Sequence, residues 1–279
     1  MTVVAGCLFG DHDVSIEKDS EAFRALARQN DLADAIAVLK ENIAVNSTAF
    51  EGKDEQGAAR LVGSKTEIAL LAFGQQLQAN AGTTFDFMAM RHATSIVQVF
   101  PFSSDRKSMC TVVKHYRTAP AASAAASDEQ RYTIRAYVKG ASEIVLKLCG
   151  FQHTATSIMP LEKKDVEAWR AKISAFADRS LRTIALAYRD FTPQAWDACV
   201  QASKAQNKTD TFPEDAEYIL SGIVGIEDPL RPGVTEAVQQ CQQAGVFIRM
   251  VTGDNVQTAK AIATKCGILM RGGIVMEGT

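Results

Sequence analysis

Apolar positions recur at helical spacing in the first part of the chain. One amphipathic helix is predicted from apolar residues three or four positions apart, namely Leu32, Ala35, Ile36, Leu39 and Ile43. The segment Ser64-Lys65-Thr66-Glu67 precedes a second apolar run, and its Ser-x-x-Glu pattern predicts a helix that begins with a capping box. Two further helices are predicted over residues 143–149 and 162–178.

Strand-like apolar runs occur in two different arrangements. In the first arrangement they alternate with polar loops, at residues 95–100, 109–116, 132–139 and 183–191. From residue 219 the predicted order is strand, helix, strand, helix, at residues 219–226, 232–244, 246–251 and 255–266. Regular alternation of strands and helices is typical of a parallel sheet, so the pattern predicts an α/β protein with two units.

The change of pattern places the predicted domain boundary after residue 227. The second unit, residues 228–279, is short for a doubly wound domain that folds alone. The sequence also opens in the middle of a predicted strand at Met1–Ala5. We therefore expect it to be a segment of a longer protein that supplies further strands.

Composition narrows the possible functions. The chain has 279 residues, 47% of them apolar, and a net charge of -2, which fits a globular protein and argues against nucleic acid as a partner. Its six cysteines and four histidines are scattered, without the spacing of metal ligands, so we predict reduced thiols and no metal site. No stretch of the sequence approaches the ~18 consecutive apolar residues of a membrane-spanning helix.

The segment Val251-Thr252-Gly253-Asp254-Asn255 is the most informative part of the sequence. It follows a predicted buried strand, and Asp254 and Asn255 suit the N-cap of the next helix. Unpaired N–H groups and the helix dipole attract anions at such a helix end, so the segment predicts a phosphate site. The simpler alternative is an ordinary strand–turn–helix joint whose polar residues only cap the helix.

Two motifs in the first unit have the chemistry of a nucleotide site. Phe102, Arg106 and Lys107 lie on a loop between predicted strands, where a ring can stack on a base and cations can meet phosphates. Lys139 ends a strand, and Gly140 beside it would let a ligand approach the backbone closely. The simpler alternative for the first motif is a core phenylalanine with two solvated cations.

Three other candidate residues are individually weak. Glu67 has a competing local role, because the capping box would direct its carboxylate to the backbone N–H of Ser64. Arg182 precedes a predicted strand and is equally consistent with a surface cation. Arg231 closes the rigid turn Asp228-Pro229-Leu230-Arg231 at the end of another strand.

Taken in sequence order, these motifs resemble the cytoplasmic head of a P-type cation-transporting ATPase. The matching series is Lys65-Thr66-Glu67, Phe102 to Met109, Lys139 to Glu143, Leu181-Arg182-Thr183, Asp228 to Arg231 and Thr252 to Asn255. Residues 222–232 and 249–268 are most similar to the plasma-membrane calcium pump subgroup. Met1-Thr2-Val3-Val4 resembles the residues that follow the family's phosphorylation loop.

The resemblance implies a nucleotide-binding domain over residues 1–227, with an antiparallel sheet flanked by helices. Residues 228–279 would be part of a Rossmann-like phosphorylation domain of the haloacid-dehalogenase type, without its phosphorylated-aspartate strand and its C-terminal strands. The implied ligand is ATP with Mg²⁺. Its implied contacts are Phe102 and Glu67 at adenine, Arg106, Lys107, Lys139 and Gly140 along the pocket, and Arg182 and Arg231 at the phosphates.

The resemblance also implies what this segment does within a parent pump. Thr252, Gly253 and Asp254 would lie beside an aspartate located before Met1, so we expect no catalytic residue here and ATP binding without turnover. The expected partner is the rest of the pump, on the cytosolic side of the plasma membrane or of a vacuolar membrane, and the segment is expected to be monomeric. Relatives carry arginine at Ser104 and proline at Ser142, which puts a phosphate contact from residue 104 in doubt.

Hypotheses of other classes stay open at this point. A phosphatase of the haloacid-dehalogenase type would use Asp11 and Asp13, with Thr252 as a phosphate ligand. The register set by Met1–Val4 instead places these two aspartates inside the nucleotide-binding part. A pump for another cation and an interaction module without a ligand are the remaining alternatives.

Overall fold

The computed structural model describes residues 1–10, 12–15, 25–26, 28–53, 56–79, 85–116, 132–154, 157–205, 217–253, 255–270 and 272–277. Their helices are α1 (Ala33–Val45), α2 (Lys65–Ala79), α3 (Phe87–Ala93), α4 (Ser142–Leu148), α5 (Lys163–Asp178), α6 (Pro193–Ala205), α7 (Val234–Gln243) and α8 (Val256–Lys265). Their strands are β1 (Thr2–Leu8), β2 (His12–Ser15), β3 (Phe50–Lys53), β4 (Ala59–Val62), β5 (Ser95–Ser103), β6 (Ser108–Tyr116), β7 (Tyr132–Ala141), β8 (Cys149–His153), β9 (Ile158–Pro160), β10 (Leu181–Phe191) and β11 (Tyr218–Glu227).

A large sheet with the strand order β2-β1-β11-β10-β7-β6-β5 forms the centre of the structure. Every neighbouring pair in this order is antiparallel, while β8 adds to β11 in parallel and β9 pairs with β8. Lys139 on β7 pairs with Met109 on the neighbouring strand β6 and with Leu186 on the other neighbour, β10. The expected class, a mixed α/β fold with an antiparallel sheet flanked by helices, is confirmed.

Helices α1, α2 and α3 cover one face of this sheet. The apolar residues that predicted α1 are all buried, from Leu32 and Leu39 at 0% exposure to Ile36 at 6%, so this prediction is confirmed. Asn42 lies on the same buried face, and its amide donates to the carbonyl oxygens of Ala187 at 3.0 Å and Val138 at 3.4 Å. A buried amide must find such partners, so these bonds help to fix α1 against the sheet.

Helices α4, α5 and α6 pack on the opposite face. Their buried side chains include Val145, Trp169, Ile173 and Trp196, which join a second apolar cluster with the other sheet face. Burial of each large side chain contributes roughly 1.5–3 kcal/mol, so the two clusters together hold the sheet between two helical layers. Helix α6 was not predicted, because its residues 201–205 have a polar, loop-like composition.

The part of the chain from residue 219 onward differs from the expected parallel sheet. The predicted strand at residues 219–226 exists as β11, but it lies between β1 and β10 in the antiparallel sheet. Residues 246–251 do not form a strand, and Phe247 and Val251 are 91% and 96% exposed. Backbone groups of a strand need a paired neighbour, and the described residues place none beside this segment. The prediction of a parallel sheet from these residues is therefore wrong, whereas both predicted helices, α7 and α8, are confirmed.

Helix α8 packs against the layer formed by α5. The hydroxyl of Thr258, which is 4% exposed, donates to the carbonyl oxygen of Leu181 at 3.2 Å. Ser174 on α5 donates to the side-chain oxygen of Gln257 at 3.2 Å. The boundary after residue 227 thus stays a prediction. None of the helices in the described ranges is both long and apolar enough to cross a bilayer.

Candidate functional site

Most of the candidate residues in the first unit lie near one end of the large sheet. Strands β5 and β7 end there, and β6 and β10 begin there, as their antiparallel order requires. Ser103 faces Ser108 across β5 and β6, and Ser108 faces Gly140 across β6 and β7. Phe102 and Lys139 are each one residue away from this row, on strands that lie about 10 Å apart. The sheet therefore brings a ring and an ammonium group within reach of one nucleotide.

Phe102 lies near the end of β5, not on the loop predicted between the strands, because β5 continues to Ser103, and its ring faces solvent. The ring is 62% exposed, whereas Phe100 on the same strand is 2% exposed, so the core-phenylalanine alternative is wrong. The turn between β5 and β6 is held internally, because the guanidinium of Arg106 donates to the Pro101 carbonyl at 2.6 Å. The backbone N–H of Lys107 donates to the Ser103 carbonyl at 2.8 Å. The ring thus projects from the end of a strand, next to a turn with a defined conformation.

Gly140 joins this turn to the end of β7. A Cβ atom at Gly140 would lie 2.7 Å from the Cα of Ser108 and closer still to the carbonyl oxygen of Lys107. That same carbonyl accepts the backbone N–H of Ala141 at 3.0 Å. Gly140 is consequently explained by close packing of two strands, a reason separate from ligand approach.

Glu67 and Lys139 form a buried ion pair under this end of the sheet. Oε1 of Glu67 lies 2.7 Å from Nζ of Lys139, and their side chains are 8% and 9% exposed. Thr48 supplies two more donors to the carboxylate, its backbone N–H to Oε1 at 3.1 Å and its hydroxyl to Oε2 at 2.8 Å. The capping box is only half formed: Ser64 accepts the N–H of Glu67 at 3.2 Å, but the carboxylate binds Lys139 and Thr48. The proposed local role of the Glu67 carboxylate is therefore wrong.

Glu67 and Lys139 differ in how fully their charges and hydrogen-bonding groups are matched by neighbouring residues. Burial raises the pKa of Glu67, but Lys139 and the hydrogen bonds from Lys139 and Thr48 outweigh it and hold that pKa below its usual value. Burial lowers the pKa of Lys139, Glu67 offsets this only in part, and the positive charge of Arg91 lowers it further. An ammonium has three donors, and Glu67 is the one acceptor that the described residues bring to Nζ. Two of the three ammonium donors therefore have no acceptor among the described residues.

A polar row lies beside this pair on the same face of the sheet. Asn46 donates to the Met109 carbonyl at 3.3 Å and to Oδ1 of Asn42 at 3.4 Å. Thr111 donates to Oδ1 of Asn46 at 3.0 Å. All three side chains are fully buried, and their mutual bonds satisfy them as a buried polar row requires.

The strand register and the sequence positions of Arg182 and Arg231 put both residues at the end of the sheet that holds Lys139. Arg182 is half-buried in β10 and faces Ile226, and Ile184 two residues later faces Ala141 on β7. Arg231 is exposed four residues after the end of β11 at Glu227. Arg182 thus lies on the same sheet end as Lys139 by strand register, and Arg231 follows a strand that ends there.

Comparison with known proteins identifies this arrangement. A family model described as P-type ATPase, cytoplasmic domain N, matches residues 34–233, which include Glu67, Phe102, Lys139 and Arg182. The chain belongs to the P-type ATPase family. The resemblance inferred from the motifs is confirmed.

Several P-type ATPases to which the chain is similar are calcium transporters by name. "Calcium-transporting ATPase PAT1" of Dictyostelium discoideum is 40% identical over 243 residues, which cover 87% of this chain and 19% of that protein. "Calcium-transporting ATPase 2" of Cryptococcus neoformans is 40% identical over 268 residues, 91% of this chain and 17% of that protein. "Calcium-transporting ATPase 10, plasma membrane-type" of Oryza sativa is 36% identical over 280 residues, 100% and 24% of the two. The chain spans about a fifth of the length of these relatives.

The segment expected beside the phosphorylated aspartate of a P-type ATPase is partly described. Thr252 and Gly253 are exposed, and Asp254 lies outside the described residues. Asn255 caps α8 as predicted, because its Oδ1 accepts the backbone N–H of Gln257 at 2.8 Å. Its amide also donates to Glu143 on α4, which places the start of α8 beside the end of β7.

The one described aspartate of the phosphatase hypothesis lies on an edge strand of the sheet, several strands away from Lys139. Asp11 is outside the described residues, and Asp13 belongs to β2, where it faces Cys7 of β1 in a hairpin. The register of the sheet puts Asp13 level with Gly140, but β1, β11 and β10 lie between β2 and β7, so the two positions are roughly 19 Å apart. The main hypothesis, the nucleotide-binding domain of a P-type ATPase, is supported over this alternative.

Sequence reasoning missed two residues of the site, Thr48 and Arg91. Thr48 follows α1 in a link with no motif, and Arg91 looks like an ordinary cation in a short helix. Their contacts bridge residues 19, 47 and 42 positions apart along the chain. Such distant partners leave no periodic signal, so only the folded structure reveals them.

Acid should destabilise the protein in part through Glu67. Because the folded-state pKa of Glu67 lies below its value of 4.5 in the unfolded chain, the pair contributes stability above pH 4.5 that is lost as the pH falls through the folded-state value. Urea unfolding between pH 7 and pH 3 measures this loss. We expect Glu67→Gln to be less stable than the wild type at pH 7 and to lose less stability on acidification. An unchanged pH dependence in that variant would contradict the assignment.

The hydroxyl of Ser64 should contribute to folding stability but not to ATP affinity. Ser64→Ala removes the acceptor of the Glu67 N–H at the start of α2 and should lower the free energy of unfolding by about 1 kcal/mol. Ser64→Thr keeps a hydroxyl at the same position and serves as the matched control in urea unfolding. We expect ATP affinity to be unchanged in both variants, since the carboxylate of Glu67 is held by other residues. A weaker affinity in Ser64→Ala would show that the cap and the site are coupled.

Proposed function

We propose that this chain binds ATP as the nucleotide-binding part of a calcium-transporting P-type ATPase. The observation that carries the proposal is the buried ammonium of Lys139, which has one carboxylate partner among the described residues, beside the exposed ring of Phe102. In this arrangement adenine stacks on Phe102, and the phosphates run towards the cations at the strand ends. P-type ATPases in general use ATP with Mg²⁺.

The charges near Lys139 support an anionic ligand. Lys139 and Arg91 are two positive groups that act on each other and on the single carboxylate of Glu67. An arriving phosphate would offset the excess positive charge and supply the acceptors that Lys139 needs. Arg106, Lys107, Arg182 and Arg231 extend this positive region along the proposed path of the phosphates.

Glu67 has a distinct part in the proposal. A carboxylate offers about four acceptor positions, and Lys139 and Thr48 occupy three of them. The remaining position, on Oε2, would meet the amino edge of adenine. Mg²⁺ would arrive with the phosphates, since the described residues contain no cluster of three acidic, histidine or cysteine side chains that could hold a metal ion.

In the whole pump, ATP held here would phosphorylate an aspartate beside Thr252, Gly253 and Asp254. The names of the relatives support calcium as the transported ion and the plasma membrane as the location, with a vacuolar membrane as the alternative. The described part of the chain contributes positioning and electrostatic stabilisation, which supply most of the catalysis in phosphoryl transfer.

Calorimetric titration of the chain with MgATP tests this function. We expect saturable binding at one site per chain, with weaker binding of inorganic phosphate because the adenine contacts are absent. The phosphatase hypothesis instead requires Mg²⁺-dependent hydrolysis of p-nitrophenyl phosphate that Asp11→Asn abolishes. Absence of saturable MgATP binding to the folded wild type would refute the proposal, and hydrolysis sensitive to Asp11→Asn would favour the phosphatase.

A further inference from the structure

Thr48 contacts both oxygens of the Glu67 carboxylate. It lies in the link between α1 and β3, and it donates to both carboxylate oxygens, from its N–H at 3.1 Å and its hydroxyl at 2.8 Å. Lys139 donates to Oε1 alone, at 2.7 Å. Within the described ranges the Thr48 hydroxyl is the one donor to Oε2. Without it, the carboxylate could rotate about its last side-chain bond, which has a broad energy minimum.

Arg91 fixes both ends of the link that carries Thr48. Its Nε donates to the Ala44 carbonyl at 2.5 Å, and its Nη1 donates to the Ala49 carbonyl at 2.5 Å. Ala44 belongs to the last turn of α1, where carbonyls have no intrahelical partner. The guanidinium also lies over the Phe87 ring, 4.9 Å from its centroid. A planar fork that binds two carbonyls at once holds residues 44–49 in one conformation.

The orientation of Glu67 affects the charge of Lys139. Burial and Arg91 lower the pKa of Lys139, and the charge and hydrogen bond of Glu67 are what raise it. If the carboxylate turns away, the ammonium loses its one described acceptor and gives up its proton at a lower pH. A neutral amine attracts phosphate far less than an ammonium does, so the position of Thr48 bears on nucleotide binding.

We propose that Thr48, held in place by Arg91, is a positioning residue that keeps Glu67 paired with Lys139 and so keeps the Lys139 ammonium available to a nucleotide phosphate. This inference rests on the proposed ATP binding and extends it to two residues outside the motif series. Thr48 acts through Glu67 and is assigned no contact with the reacting atoms. The competing explanation is a hydrogen bond that stabilises the fold and has no influence on the ligand.

Calorimetric titration of MgATP between pH 7 and pH 10 separates the two explanations. Thr48→Val keeps the side-chain shape without the hydroxyl, and Thr48→Ser keeps the hydroxyl as the matched control. We expect Thr48→Val to bind MgATP about 3- to 10-fold more weakly at pH 7. Its affinity should also begin to fall at a lower alkaline pH than that of the wild type, and Thr48→Ser should restore both properties. Wild-type affinity and pH profile in folded Thr48→Val would overturn the inference.

A second measurement on the wild type covers the case in which Thr48→Val does not fold. Coupling between two events is reciprocal, so if the Thr48–Glu67 contact favours MgATP, then MgATP must favour the contact. We therefore expect amide hydrogen exchange at Thr48 to slow on saturation with MgATP, and unchanged exchange would overturn the inference. Failure of the wild type to bind MgATP would instead refute the proposed function itself.

Discussion

Replacing Lys139 with methionine should lower the free energy of unfolding by about 3–5 kcal/mol. The change leaves the Glu67 carboxylate buried without its opposite charge, at a position where the side chain is 8% exposed. The two hydrogen bonds from Thr48 remain, but they offset only part of the free-energy cost of burying a charge that has no partner of opposite charge. Urea unfolding at pH 7 measures the loss, and the variant should regain stability on acidification as Glu67 takes up a proton.

The double variant Glu67→Leu/Lys139→Met provides the decisive comparison. Removing both charges replaces the ion pair with apolar side chains of similar size, which is often neutral or stabilising for buried pairs. We expect it to recover most of the stability lost by Lys139→Met, while ATP binding stays lost. Lys147→Met, at an exposed lysine of α4, is the matched control and should change stability by less than about 0.5 kcal/mol. A loss below about 1 kcal/mol in Lys139→Met would contradict a buried pair.

Replacing Phe102 with alanine should weaken ATP binding by about 1–3 kcal/mol, or about 5- to 150-fold, through lost stacking on the base. Because the ring is 62% exposed, the same change should leave the free energy of unfolding nearly unchanged. Calorimetric titration with MgATP measures the affinity, and urea unfolding measures the stability. This pattern, affinity lost and stability kept, is the opposite of what a core phenylalanine would show.

An aromatic residue at the other end of the sheet controls for general surface effects. Tyr116, which ends β6, is 61% exposed, so Tyr116→Ala removes a ring of similar exposure far from Lys139. We expect this variant to bind MgATP as the wild type does, and Phe102→Trp to retain most of the affinity, since any flat ring can stack. Equal affinity of Phe102→Ala and the wild type would remove Phe102 from the site.

Local patterns predicted a helix or strand correctly where that element is packed against the core along its whole length. Helix α1 and strand β7 are examples, because helical spacing and strand-like apolar runs respond directly to burial. Residues 246–251 have the same apolar character, yet Phe247 is 91% exposed. Whether an apolar run becomes a strand depends on a neighbouring strand, and a single run carries no information about its neighbours.

In the candidate site, too, contacts between residues close in sequence were predictable, whereas contacts between residues far apart in sequence were not. The Ser64–Glu67 pattern correctly predicted where α2 begins, since both residues lie within one turn. The same pattern predicted the wrong partner for the Glu67 carboxylate, which binds Lys139, 72 positions away along the chain. The order of motifs along the chain revealed the family in spite of this, because that order reflects descent and does not depend on knowing which side chains meet. Whether any of the assigned residues contacts ATP stays a prediction.

The packing of Gly140 against the turn between β5 and β6 has a mechanical consequence. A backbone hydrogen bond and close packing tie the Lys107 carbonyl to residues 140 and 141, so we expect the turn between β5 and β6 to move together with the end of β7. Any opening between this end of the sheet and the helices that cover it would then require movement of α2 and of residues 44–49. The Glu67–Lys139 contact joins α2 to β7, so if the chain binds ATP as proposed, the strength of this contact would influence how easily the two elements separate and how quickly a nucleotide leaves.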